Sequence, residues 1–240
     1  MIDWLKRAVI EPEIELNGET IPIVLRRHRT AKRLTLRLAP DGSEVRITLP
    51  DWAHGNEALA FAHARAEWLA AQHACIPRRK PPGPDSTLIF RGKKVQVKWE
   101  NGAPRRPHLT GDELHLGGPQ AGLAERLKRW MEREALPLID ADMRDYCAAA
   151  DLDPVPVALS RAQKRWGSCS DKRRIRINWR LIQAPDFVRR SVVAHEVAHL
   201  VHFDHSPAFH ALLQRIFDDD IKQADFWLKQ HGRSLYTSFG

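Results

Sequence analysis

The chain has 240 residues, 43% hydrophobic and 28% charged, with a formal net charge of +8, which supports a packed core and excludes a wholly disordered chain. No run approaches the roughly 18 to 20 apolar residues that cross a bilayer, and the opening MIDWLKRAVIEPEIEL carries Asp3 and lacks the apolar stretch of a signal peptide. Cys75, Cys147 and Cys169 are odd in number, far apart and without a C-x-x-C pair, so the expectation is a reduced cytoplasmic protein with no disulfide framework and no membrane partner.

In chain order, residues 11–50 read as strands. EIEL, the Asn17-Gly18 turn dipeptide and TIPIVLRR form a hairpin signal, and LTLRL and VRITL alternate apolar and polar around Pro40-Asp41-Gly42. Residues 57–74 carry helix formers with apolar residues at helical spacing, predicting one long helix. PRRKPPGPDS (77–86) is a break, followed by the strand pairs TLIF with VQVKW and HLT with ELHLG. Near residue 119 the pattern changes. Residues 121–150 predict a long amphipathic helix, kinked near Pro137. VPVALS and RRIRINW read as strands, FVRRSVVAHEVAHLVHF as a helix, and Ser206-Pro207 and DDDIKQADFWLKQHG open the last two. The fold class expected is α+β: a β-rich N-terminal region with one long helix over 1–118, then a catalytic domain over 119–240. Lys and Arg outnumber Asp and Glu by 19 to 14 before residue 119 and by 19 to 16 after it. That excess is too evenly spread to demand an anionic partner.

His195-Glu196-Val197-Ala198-His199 is an H-E-x-x-H motif. On a helix, positions i and i+4 share a face, so both imidazoles can reach one Zn²⁺ at about 2.0–2.1 Å. Glu196 projects from the flank and can reach a water without occupying a coordination position. The flanking Val192, Val193, Ala194, Val197, Ala198, Leu200 and Val201 predict a buried helix, and buried ionisable groups need a shared partner. Catalytic zinc takes a third protein ligand and leaves one position open. No glutamate follows Glu196, so the candidates are His202, His205, His210 and a downstream Asp. His202 lies seven residues from His195, about 10.5 Å along a helix. His205 follows the helix and precedes Ser206-Pro207, where the chain can fold back, and is the favoured ligand. His210 reads as a helix-surface or supporting residue. Asp204 reads either as a support for a ligand imidazole or as a polar residue at the helix end. The His spacing matches that of metzincins, but their glycine is replaced by His202.

RWGSCS (165–170), RIRINWRLIQAP (174–185) and VVAHEVAHLVHFDHSPAFH (192–210), with the upstream KRLTLRLAPDGSEVRITLP and FRGKKVQV, resemble the YgjP-like metallopeptidase family, related to the WLM and SprT zincins. The resemblance spans most of the chain. It implies a zincin-like fold with an H-E-x-x-H active-site helix, Zn²⁺ held by His195, His199 and His205, and Glu196 as the catalytic acid/base. Family members commonly carry Asn where this chain has Asp204.

In Arg165-Trp166-Gly167-Ser168-Cys169, Trp166 reads as a core residue and Gly167 as making a turn. The alternative is a Gly167-Ser168 turn that presents backbone groups to substrate as edge strands do. Arg165 could hold an anionic group, Cys169 reads as an inert buried thiol, and Asn178 as structural. The function expected is a zinc-dependent metallohydrolase that cleaves peptide bonds in a peptide or protein substrate. Three other readings stand beside it. A nucleotide pyrophosphatase would use the same metal. A DNA-associated protease would use the basic runs 26–33, 77–80 and 161–174 on nucleic acid. A non-enzymatic scaffold would need a closed, four-ligand zinc site. Tyr146 and Tyr236 lie far from the motif in sequence, so no oxyanion partner is assigned.

Overall fold

A computed structural model describes residues 12–76 and 80–240. The chain forms two compact units, Met1–Arg78 and Arg79–Gly240. Most of the basic run 77–80 lies outside the described residues. The fold is mixed α and β, with three sheets and six α-helices among the described residues.

In the first unit, β1 (Glu13–Leu16) and β2 (Glu19–Arg27) form the expected hairpin. Asn17 and Gly18 both take positive φ, as a two-residue hairpin turn of type I′ requires. β3 (Thr35–Leu38) and β4 (Val45–Leu49) complete a four-stranded sheet of order β1-β2-β4-β3, with β2 and β4 parallel. Alternate residues Ile14, Leu16, Ile21, Ile23, Val45, Ile47 and Leu49 point into one core with Ala58, Ala62 and Leu69. The single helix expected over 57–74 is instead two, α1 (Gly55–His63) and α2 (Ala66–Ala74). Arg65 leaves the helical region at φ −112°, and its N–H bonds to Ala62 O, three residues back, which ends the first helix.

The second unit begins with another four-stranded sheet, of order β5-β6-β8-β7: β5 (Thr87–Phe90), β6 (Lys93–Trp99), β7 (His108–Thr110) and β8 (Glu113–Leu116). Its strand order and directions repeat those of the first sheet. The sequence break at 118 therefore falls inside a compact unit. The reason is the core: Leu88, Val95, Val97, Leu114 and Leu116 bury against the same cluster as α3 (Leu123–Ala149) and the elements after it.

After α3, which runs through Pro137, come β9 (Val157–Ser160), β10 (Gly167–Cys169) and β11 (Ile175–Asn178). They form a three-stranded sheet of order β10-β11-β9, with β10 antiparallel and β9 parallel to β11. A 3₁₀ turn, Trp179–Gln183, leads into α4 (Asp186–Ala198), followed by α5 (Pro207–Ile216) and α6 (Ile221–His231). Asn178 is fully buried; its side chain accepts from Arg180 N–H and donates to Ala162 O at 2.7 Å, the structural role expected.

Helix α4 is buried along nearly its whole length, and charge pairs fix its start. Arg91 Nε donates to both carboxylate oxygens of Asp186 at 3.0 and 3.1 Å. Arg189 pairs with Asp186 one turn away and with Asp142 of α3 at 2.7 Å. Arg189 and Asp142 are both buried, so removing the carboxylate leaves a cation short of its partner. Asp142→Ala should lower unfolding free energy by about 3 kcal/mol, read by urea titration; a change within error would show that Asp186 alone satisfies Arg189.

Candidate metal centre

His195 and Glu196 stand in the last turn of α4, and His199 is its C-cap residue. The helix ends at Ala198, five residues short of the expected Phe203. Leu200 and Val201 donate to carbonyls three residues back, so the last turn tightens before the chain leaves. Nε2 of His195 lies 3.1 Å from Nε2 of His199 and 3.3 Å from Nε2 of His205. One ligand atom from each of the three falls within 4.8 Å of the others, and no fourth His, Cys or carboxylate joins the group among the described residues.

These separations fit an ion. Two nitrogens each about 2.0–2.1 Å from a tetrahedral cation stand about 3.3–3.4 Å apart. A single proton on His195 Nε2 can bridge to only one of its two neighbours, whereas a cation between the nitrogens accepts a lone pair from each. The ring orientations are also held. Nδ1 of His199 lies 2.9 Å from the His202 carbonyl, so a proton on Nδ1 leaves Nε2 as the free lone pair. Phe209, fully buried on α5, packs its ring against all three imidazoles at centroid distances of 5.0, 4.6 and 4.8 Å. The Ser206 hydroxyl caps α5 from Phe209 N–H, with Pro207 in the first turn, which sets where Phe209 points. Burial, then the neighbouring charges of His199 and His205, push the His195 imidazolium down to about 4, so this ring is neutral near pH 7.

Glu196, next to His195 in the chain, is buried. Burial pushes its carboxyl up to about 7, opposed by the charge of Arg165 and by the backbone N–H of Cys169. Its carboxylate occupies the space a side chain at Gly167 would need: a Cβ there would sit 2.7 Å from Cγ of Glu196 and 2.8 Å from Cδ. Gly167 and Ser168 are not the expected turn but the start of an edge strand, β10, bonded to β11 on one side only.

A family model described as YgjP-like, metallopeptidase domain, matches residues 32–231. The chain belongs to that family. The match covers 200 of the 240 residues and runs through both compact units. No curated protein and no solved structure matches the chain.

The remaining candidates of this YgjP-like chain fall outside the nitrogen cluster. His202 contributes its backbone carbonyl. His210 is exposed, with its ring 6.4 Å from that of His205. Asp204 accepts from Ser206 N–H at 3.3 Å rather than from an imidazole, and those Ser206 hydrogen bonds hold its carboxyl low. Trp166 is half-buried against Tyr236. Burial and the charge of Glu196 push the Cys169 thiol up, away from the thiolate form. Tyr146 bonds Arg190 and Asp218, and Tyr236 approaches Ala162 O, so neither joins the cluster.

Phe209 carries no ligand atom, yet it backs all three rings. Phe209→Ala should cost about 3–5 kcal/mol of stability and also weaken zinc binding in competition titrations with a chromogenic chelator. Unchanged affinity in a folded variant would mean that the imidazoles hold their positions without it.

Proposed function

We propose that the chain is a zinc-dependent metallopeptidase on a zincin-like scaffold, with α4 as the active-site helix. His195, His199 and His205 are its zinc ligands, and Glu196 is its catalytic base. The observation that carries this reading is the convergence of three imidazoles, with Nε2 of His195 3.1 and 3.3 Å from those of His199 and His205 and all three ligand atoms within 4.8 Å, next in the chain to a buried carboxylate outside their group. Three imidazoles suit zinc, and three protein ligands with a fourth position left open are the arrangement of catalytic zinc. A structural zinc site would need a fourth protein ligand, and among the described residues none stands with the three histidines.

When bound, the ion supplies Lewis acidity, which polarises a carbonyl and acidifies water at neutral pH. The protein supplies the rest. The triad fixes the position of the ion through rings locked by Phe209 and by the His202 carbonyl. Glu196 takes the proton of the attacking water onto a carboxylate oxygen and returns it to the departing amine nitrogen as the C–N bond breaks. The Cys169 N–H and the close approach of Gly167 keep that carboxylate in one place.

A peptide substrate is favoured over a phosphoanhydride by β10. Asn178 N–H donates to Trp166 O, and Ser170 N–H to Arg174 O. By the alternation of an antiparallel ladder, Ser168 then faces β11, while Gly167 and Cys169 turn their backbone groups to the open edge. An extended peptide can add there as a further strand, next to Glu196.

Glu196→Gln should retain one zinc per chain by elemental analysis. Its chelator-sensitive cleavage of unfolded casein should fall by at least about 10²-fold. Retained cleavage removes Glu196 from the chemistry, and loss of the metal makes it structural. Release of pyrophosphate from nucleoside triphosphates by the zinc-loaded wild type, with no peptide cleavage, would replace this reading with the phosphoanhydride one. Gly167→Ala should give a folded, metal-binding protein with reduced kcat, because the added methyl displaces the Glu196 carboxylate; unaltered kcat would show that the carboxylate has another place to go.

A further inference from the structure

The three-stranded sheet has a second face that the hydrolytic chemistry leaves unused. Ser168, Arg176 and Ala158 are direct cross-strand partners and share that face. Gly167 with Ile177, and Cys169 with Ile175, share the other, where both isoleucines are buried. An open cleft of about 510 Å³ lies at the first face, lined by Glu132, Ser160, Arg161, Arg165, Ser168 and Arg176 among others. Glu132 is already committed: both its oxygens accept from Arg161, each at 2.9 Å. Arg165 and Arg176 are exposed, and among the described residues neither stands within ion-pair distance of a carboxylate, although the charge of Arg165 is felt by Glu196. The cleft therefore holds three guanidinium groups against one carboxylate, with two serine side chains on its wall. It also adjoins the candidate active site, since Ser168 lies between the two residues that touch Glu196, and the charge of Arg165 reaches that carboxylate.

Successive side chains of an extended peptide point to opposite faces of the sheet it joins. A substrate strand added at the β10 edge therefore sends alternate side chains toward Glu196 and toward the arginine cleft. We propose that this cleft is a specificity subsite for an acidic side chain of the substrate, with Arg165 and Arg176 as the specificity-determining residues. The inference rests on the metallopeptidase reading and adds its substrate class: peptides with Asp or Glu at one fixed position from the cut, on the Ser168 side of the sheet. Two exposed guanidinium groups, neither held in a direct ion pair, match a carboxylate in charge and in planar hydrogen-bonding geometry.

The test uses the full-length, zinc-loaded protein and a mixture of unstructured peptides, with cut sites identified by mass spectrometry. A matched pair of synthetic peptides differing only by Glu against Gln at the enriched position follows. The acidic peptide should be cleaved with a kcat/KM at least about ten-fold higher, the scale of one charge-assisted hydrogen bond. Added salt should shrink that ratio. Arg176→Glu should bring it to one or below, and Arg165→Gln, which lies outside the strand, should reduce it independently. Cleavage without acidic preference, or a preference that survives both substitutions, overturns the subsite and leaves the peptidase reading standing. No chelator-sensitive cleavage of any peptide overturns the peptidase reading and the subsite with it. Binding of a single-stranded oligonucleotide that Arg176→Glu abolishes, with peptides cut indifferently, would assign the cleft to nucleic acid and overturn the proposal.

Discussion

Nε2 of His195 lies 3.1 Å from Nε2 of His199 and 3.3 Å from Nε2 of His205, and a single proton on it can bridge to only one of the two. The scaffold imposes the approach, and a cation that accepts all three lone pairs would make it favourable. The scaffold does so from two sides. Helix α4 sets His195 and His199 one turn apart. The segment that leaves it turns back within six residues to bring His205 alongside, and Phe209 closes the space behind all three. Ligands preorganised in this way lose little freedom when an ion binds, which leaves more of the coordination energy available as affinity.

The position of α4 is thus the constraint on which the site depends, and it is set by charge as well as by packing. Buried valines and alanines along the helix specify that it is inside, but such contacts tolerate sliding. The Asp142–Arg189–Asp186–Arg91 chain does not. It ties the first turn of α4 to α3 and to the tip of the β5–β6 hairpin, where Arg91 N–H and Gly92 N–H also donate to Ile182 and Gln183 carbonyls. Buried ion pairs are weak contributors to net stability, because desolvation offsets most of their attraction. Their use here is register: a helix held at its first turn presents His195 and Glu196, more than two turns on, in one place.

What was legible in the sequence follows from which features are periodic. The helical repeat around H-E-x-x-H located α4, and Ser206-Pro207 beyond the expected helix end placed His205 where the chain could return. The two hairpin-bearing sheets were readable from alternation and from turn residues such as Asn17-Gly18. The contacts that finish the site carry no such signal. The His202 carbonyl that orients His199 is a backbone group any residue could supply. A three-residue strand such as Gly167–Cys169 is too short to alternate visibly, and the approach of Gly167 to Glu196 joins positions 29 residues apart. The expected boundary at 118 followed a change in composition, whereas compactness follows shared burial, and α3 shares its core with the sheet before it. The break between α1 and α2 has no proline or glycine to announce it.

On the proposed reading, the geometry of the short strand would let one segment serve the reaction and the recognition of substrate without conflict. In an edge strand each residue offers three directions: one face, the other face, and the open side. At β10 the two faces separate cleanly. Gly167 gives up its side chain so that Glu196 can occupy the inner face. Ser168 turns to the outer face beside Arg176. The outward backbone of Gly167 and Cys169 is left for pairing, apart from the one N–H that Glu196 takes. Because the directions alternate residue by residue, a change on the outer face alters which side chains are accepted without moving the carboxylate. A change at Gly167 moves the carboxylate whatever the substrate. In the proposed enzyme, selectivity would vary while the proposed metal ligands and Glu196 stay fixed, since the two are separated by a single peptide unit and by opposite sides of one sheet.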